Sequence, residues 1–583
     1  MAQTRRPDKR AAKKAAPAKK ATAKKAPARK APAKKAVAKK AAPPAESSVS
    51  VPVDVLAEPA VTLEYQSSAQ PSARRFIVPV IVVALVLFAA TLLVRLGAEE
   101  RGGPPHTWVF LGDGVPGTLY LPGEELGRDD IFPQPLPQGE RPALIIMAHG
   151  YSSDQQGLST MARSLARAGF ATLTFDFRGH GMNRNKFEGN LNDDIRTVVD
   201  WAQTSPYVDP TKIVVLGHSM GAGAGLDFAT LDDRVAAVIP VSGGDIANEV
   251  YTPPHVLFIR ADGDPGPLKD SQDAVAKTVE ARSGVEVKTV EISGTDHLSV
   301  VNDARTFNAI STFLDDAFGG APAGRLSTGR DDPRRGTATS YVLVIVILIG
   351  FLGRIVGRAV RPLPNTTGPG AWLLLAGSVL IATPLLATGG FGILPIGAGQ
   401  AVAASSALAA FILWTVRYFV RNGAITGRVA TWIGDGEWMP LRSVGIPGLL
   451  AGVAIFAMLA PAGVVLHATV PNVERAIYWA IVALALLPFF AAFEAIVRRG
   501  GTWAGLGFGV LGRAMLMVLL VIGLAAGALP GVLGLILVPL VAQYVLLEVF
   551  AAAAWASGRN AAVIAVVDSI FTAWVAVMFS PIG

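Results

Sequence analysis

Cysteine is absent from all 583 residues, which excludes a disulfide framework and any cysteine-ligated metal site. Histidine is scarce, with seven in the chain. No His-Glu-x-x-His, Walker A or Rossmann glycine pattern occurs, so neither a zincin-type site nor a phosphate cradle is indicated. No metal and no cofactor are expected. Charge is the third scarcity. Charged residues make up 16% of the chain against 51% hydrophobic ones, and mean hydropathy is +0.43. That balance is too apolar for a single soluble protein.

The charge that is present lies unevenly. Residues 1–40 hold sixteen Lys or Arg against one acid, Asp8, so this segment is +15 within an overall +8 and the other 543 residues carry −7. Lys or Arg doublets recur through residues 9–42, separated by Ala and Pro, and residues 43–73 continue as a Pro/Ser/Ala linker. Like charges repel and proline interrupts helix, so residues 1–73 read as a disordered tail and linker. Such a tail attracts polyanions, either nucleic acid or anionic lipid headgroups, or serves as a solvated spacer that fixes membrane orientation.

Phe76 to Val94 contains no charge and is flanked by Arg74-Arg75 and Arg95. At about 1.5 Å per residue it reaches roughly 30 Å, one hydrocarbon thickness. The basic region before it is too long for a signal peptide and no clear cleavage site follows, so residues 74–97 are expected to form an uncleaved anchor. Beyond a polar linker at 321–336, residues 337–583 form a membrane domain of about eight helices. Spans are expected near 337–357, 371–389, 400–419, 444–466, 476–497, 509–529, 531–552 and 561–580. Basic residues fall on alternate sides: Arg354, Arg358 and Arg361, then Arg417, Arg421, Arg428 and Arg442, then Arg498 and Arg499, then Arg559. The intervening loops carry only Arg475. Excess Lys/Arg marks the cytoplasmic side, and the basic tail points the same way. The expectation is a multi-pass cell-membrane protein with its tail inside and residues 100–336 outside.

Residues 104–320 are soluble in character. Strands are expected at 107–111, 116–121, 143–148, 171–176, 212–217, 235–242, 254–260 and 286–292. Helices are expected at 155–168, 190–204, 219–230, 269–282 and 302–318. After an opening hairpin, strand and helix alternate, which implies a mostly parallel α/β sheet covered on both faces.

Within that segment Gly217-His218-Ser219-Met220-Gly221 follows the apolar run Ile213–Leu216 and precedes a small-residue helix. This is a G-x-S-x-G elbow in a strand–turn–helix setting, with Gly217 and Gly221 permitting the sharp turn. A serine hydroxyl needs a base and a group that orients the base. His297, after the last expected strand, is the candidate base. The strand His255–Arg260 exits into Ala261-Asp262-Gly263-Asp264, which offers Asp264 as the acid and Asp262 as the alternative. The backbone N–H groups of Met220 and Tyr151 are the candidate oxyanion donors.

His149-Gly150, Phe175-Asp176-Phe177-Arg178-Gly179-His180-Gly181 and the elbow together resemble the α/β-hydrolase superfamily. The nearest branches are the serine aminopeptidase/monoacylglycerol-lipase and dienelactone-hydrolase ones. The resemblance implies Ser219 as nucleophile, Asp264 as acid and His297 as base. Many members of the lipase branch carry a helical cap after the sixth strand, and here about ten residues separate Gly244 from the strand at His255. An uncapped, open centre follows, suited to a small-molecule, lipid or polymeric acyl substrate. The glycine common before the acid in the family is Ala261 here.

Polar residues inside spans point to function by default. Glu548 and Asp568 fall in adjacent spans at similar depth, as a proton-linked or polar-substrate pathway requires. The blander account has Glu548 and Glu494 reaching toward nearby arginines while Asp568 bonds a neighbouring helix. The expected function is a membrane-anchored extracytoplasmic serine hydrolase that cleaves an ester, less readily an amide, beside membrane lipids. The alternatives are an acyltransferase, or a transporter or lipid-handling protein with an accessory hydrolase domain.

Overall fold

The computed structural model describes residues 74–123, 134–188, 190–244, 253–283, 287–318, 332–362, 444–465, 470–498, 500–526 and 537–582. The expected tail at 1–73 and the spans expected near 371–389 and 400–419 lie outside them.

Eight short apolar runs become strands: β1 (His106–Phe110), β2 (Pro116–Tyr120), β3 (Leu144–Ala148), β4 (Ala171–Phe175), β5 (Ile213–His218), β6 (Val235–Val241), β7 (His255–Ala261) and β8 (Val287–Ile292). They form one sheet in the order β1-β2-β4-β3-β5-β6-β7-β8. β1 pairs antiparallel with β2, and β2 with β4, while every other pair is parallel. Register runs Ala148 opposite Phe175 on one side and Gly217 on the other, so the exits of β3, β4 and β5 share one edge.

Strand side chains alternate between two faces. Ile145 and Met147 join a core with Met161 and Leu165 of α2 (Ser159–Arg167) and Phe307 and Ile310 of the helix ending at Phe318. Leu144 and Ile146 face the opposite core. There they meet Val198 of α3 (Asn192–Thr204), Leu226 and Phe228 of α4 (Met220–Leu231) and Val279 of α5 (Gly266–Ser283). The helix to Phe318 is α6 (Ala304–Phe318). Both faces are thus covered, which is why β3 and β5 are buried along their whole length. Only residues 242–254 join β6 to β7, leaving no length for a cap.

Seven described helices are long and apolar enough to cross a membrane. The first is α1 (Arg74–Arg101), which runs four residues past the expected end of the anchor. The others are α7 (Arg334–Ala359), α8 (Ile446–Leu459, continued by a 3-10 turn), α9 (Val473–Val497), α10 (Thr502–Ala525), α11 (Leu537–Gly558) and α12 (Ala561–Met578). The span expected at 509–529 begins earlier because Gly501 precedes the first helical turn, and the one at 531–552 sits about six residues later. The α11–α12 corner turns on Arg559 at φ 52, after which Asn560 caps the amides of Ala562 and Val563. Small residues let backbones meet: a Cβ on Gly353 would lie 2.4 Å from the Phe550 carbonyl, and one on Gly357 would lie 2.4 Å from that of Ala554.

The α/β domain meets these helices through α2 and the residues that lead into α7. Glu100 at the end of α1 bonds Arg334 at the start of α7, and Arg163 of α2 donates to the Glu99 carbonyl at 3.0 Å. Asp332 accepts from Arg334 at 2.7 Å. The stretch before residue 337, expected as linker, is therefore partly buried helix and ion pair.

Candidate active site

β5 delivers Ser219 to the edge where the parallel strands end. The strand closes at His218 and α4 opens at Met220, so Ser219 makes the turn alone, at φ 53 and ψ −113. A side chain in that conformation stores strain of about 1–3 kcal/mol. It is held by the Ser219 N–H donating to the Val241 carbonyl at 3.0 Å. The flanking glycines are sterically required. A Cβ on Gly217 would lie 2.0 Å from the Gly221 carbonyl oxygen, and one on Gly221 would lie 2.2 Å from that of Ala148.

The loop after β8 brings back His297. Asp262 pins that loop by accepting from the Gly294 and Thr295 amides at 2.7 and 3.2 Å. His218 Nε2 sits 2.8 Å from the His297 carbonyl. The His297 ring then lies between two partners: Nε2 is 3.0 Å from Ser219 Oγ and Nδ1 is 2.8 Å from Asp264 Oδ1. Asp264 Oδ2 accepts from Ser242 Oγ at 2.6 Å and from the Ala261 N–H at 2.9 Å. Burial opposes the charge on Asp264, but donors from His297, Ser242 and Ala261 outweigh it and hold the carboxyl below its usual range. An ionised Asp264 accepts Nδ1–H and leaves Nε2 as acceptor toward the serine hydroxyl. Burial, reinforced by the neighbouring His297, pushes His218 down to about 4, so this second ring stays neutral and structural.

The other wall comes from the loop after β3. Among the described residues neither the Tyr151 nor the Met220 amide donates to any acceptor. His180 Nε2 lies 2.8 Å from the Tyr151 carbonyl, and the rings of Tyr151, His180 and Phe187 meet edge to face. Asp176 anchors this region by accepting from the Gln155 amide at 2.8 Å, Gln155 Nε2 at 3.0 Å and the Met182 amide at 2.9 Å. Burial, then repulsion from Asp154, raises Asp176 to about 7.

The loop after β4, which carries His180 and Phe187, is docked on the helices. Arg475, in the first turn of α9, donates to the Gly179 and Gly181 carbonyls and to those of Val577 and Ser580. Ile582 exchanges backbone hydrogen bonds with Gly179 and Phe187, at 2.8 and 2.9 Å.

The structure brings together Ser219, His297 and Asp264. It sets Asp262 outside that chain, on the far side of the loop. Ser242 is not singled out by the sequence, and His218, a histidine beside Ser219 in the elbow, is set aside there as a base because neighbours on a sharp turn point apart. The only available signal for Ser242 was its place at the exit of β6, in Ser242-Gly243-Gly244, where it takes φ 46. Glu548 and Asp568 converge on Arg513, a charged residue inside the span expected at 509–529 and not singled out there. Among the described residues no group of three or more His, Asp or Glu is arranged to hold a metal ion.

The family model described as serine aminopeptidase, S33, matches residues 139–258. An uncharacterised 31.7 kDa protein of Escherichia coli is 33% identical over 111 residues, 18% of this chain and 38% of that protein. The quorum-quenching protein AidA of Acinetobacter baumannii is 31% identical over 102 residues, 16% of this chain and 34% of that one. The chain thus spans little more than a third of the length of these relatives. A solved α/β serine hydrolase without lid from Xanthomonas campestris is 20% identical, covering 36% of this chain and 92% of its own, with a TM-score of 0.27. Residues 106–318 form a mostly parallel α/β domain whose residues 139–258 match this hydrolase family model, joined to helices long and apolar enough to span a membrane.

Proposed function

We propose that this domain is a serine acyl hydrolase. Ser219 Oγ attacks an ester carbonyl while His297 Nε2 takes its proton, and Asp264 fixes the imidazole and stabilises its cation. The Tyr151 and Met220 amides hold the oxyanion, each worth roughly 3 kcal/mol. His297 then returns the proton to the leaving alcohol, and water resolves the acyl-serine with His297 again as base. The observation that carries this reading is the unbroken Ser219–His297–Asp264 chain at 3.0 and 2.8 Å on a strained serine turn.

The substrate class is an acyl ester borne by the membrane, since the uncapped site has the loop after β4, which packs on the oxyanion-side Tyr151, docked on α9 and the C-terminal residues. The domain faces away from the cytoplasm. Arg354, Arg358, Arg361 and Arg559 lie at the helix ends remote from it, and the basic tail joins α1 at that same side.

A membrane-impermeant fluorophosphonate probe on intact cells, and a permeant one on a parallel sample, test both points. The wild type should be labelled by both probes and Ser219→Ala by neither. Absence of label in wild type with the permeant probe defeats the hydrolase reading, and label with the permeant probe alone reverses the orientation.

A further inference from the structure

Four membrane helices converge on one buried set of charges. Arg498 of α9 donates to Glu494 of the same helix at 2.7 Å and to both carboxyl oxygens of Glu548 of α11, at 2.8 and 2.6 Å. Arg513 of α10 donates to Glu548 at 2.6 Å, to Asp568 of α12 at 2.7 Å and to Glu494 at 3.0 Å. All five side chains are buried. α8, packed on α12, brings no titratable group, and α11 adds the neutral phenol of Tyr544 beside Arg513.

Among the described residues the set holds three carboxyls and two guanidiniums, a net −1 if all are ionised. An unbalanced charge inside a membrane domain costs several kcal/mol. A single proton on one carboxyl removes it. Glu494 Oε1 and Asp568 Oδ2 both accept from the same Arg513 nitrogen, at 3.0 and 2.7 Å, which sets two like charges side by side and favours a proton on one of them. Asp568 Oδ1 is buried with no hydrogen-bond partner among the described residues, a placement that costs an ionised carboxylate more than a neutral carboxyl, while Oδ2 accepts from Arg513. A cavity of about 590 Å³ opens between α10 and α11 and reaches Arg513 and Glu548 past Val510, Met517, Val541 and Val545.

We propose that Asp568 and Glu494 share one exchangeable proton, which makes the helical bundle a proton-binding module separate from the Ser219 site. Neutral carbodiimides enter apolar cavities and add to protonated carboxyls, so dicyclohexylcarbodiimide treatment of the full chain in membranes, with adducts mapped by mass spectrometry, tests it. A single adduct is expected on the Asp568–Glu494 pair, lost in Asp568→Asn. Glu548→Gln should lose it as well, because two carboxylates then balance two guanidiniums and no proton is needed. Asp568→Asn is expected to keep the wild-type thermal midpoint, and Glu548→Gln, which weakens the pairing of Arg498 and Arg513, to melt lower but still cooperatively, which separates loss of the proton from loss of the fold. The proposal fails if the folded wild type gives no adduct, if the adduct sits on Glu548, or if folded Glu548→Gln is labelled like wild type.

Discussion

At the residue scale, Ser219 shows how little of a site is the reacting atom. Its backbone is held at a positive φ by contacts that admit no Cβ at 217 or 221, so the elbow was readable from glycine spacing alone. Ser242 was not, because a serine at a strand exit carries no signature until its hydroxyl is seen 2.6 Å from Asp264. A hydrogen bond to a charged group is worth about 1.5–3 kcal/mol. For the hydrolase proposed here, Ser242→Ala is therefore expected to lower kcat by about ten- to a hundredfold. KM for a soluble ester should change little, as steady-state kinetics will show. An unchanged kcat would mean that the His297 and Ala261 donors suffice to hold Asp264.

At the element scale, the eight strands fall where apolar runs and alternation put them, because short buried runs bounded by turns have few other ways to fold. The membrane helices were harder to bound. Continuous apolarity gives no period, and the ends of α10 and α11 are set by Gly501 and by the Arg559–Asn560 corner. The loop after β4 is the element whose behaviour the sequence concealed. Its anchor, Asp176, is buried and raised to about 7. The native state thus keeps a proton that the unfolded chain releases near 4. Stability is fully present below about pH 4 and is lost as pH rises through about 7, by on the order of 4 kcal/mol at about 1.4 kcal/mol per unit. Thermal midpoints of the full chain should fall across that window, and Asp176→Asn should flatten the slope. A wild-type profile that rises from pH 4 to 7 would contradict it.

At the scale of the whole molecule, the decisive contact is Arg475. The sequence presents it as the single basic residue in loops otherwise free of Lys and Arg, an exception to a charge pattern. In the structure it is buried and ties the Gly179 and Gly181 carbonyls to α9 and to the end of α12. Arg475→Ala removes a charged donor from several carbonyls at once. Hydrogen exchange at residues 177–188 should quicken about tenfold or more. Hydrolysis of a vesicle-borne ester should fall further than that of a water-soluble one. Equal losses on both substrates would place Arg475 in stability rather than in presenting the site to the membrane.

By itself, the sequence determined the succession of strands and helices along the α/β segment, the serine elbow and the apolar character of the described long helices, since each is written in local spacing or composition. Only the tertiary structure decided which aspartate reaches His297, that a hydrolase loop is seated on the membrane helices, and that Glu494, Arg498, Arg513, Glu548 and Asp568 meet. Those are contacts between residues tens to hundreds of positions apart, and packing alone sets them.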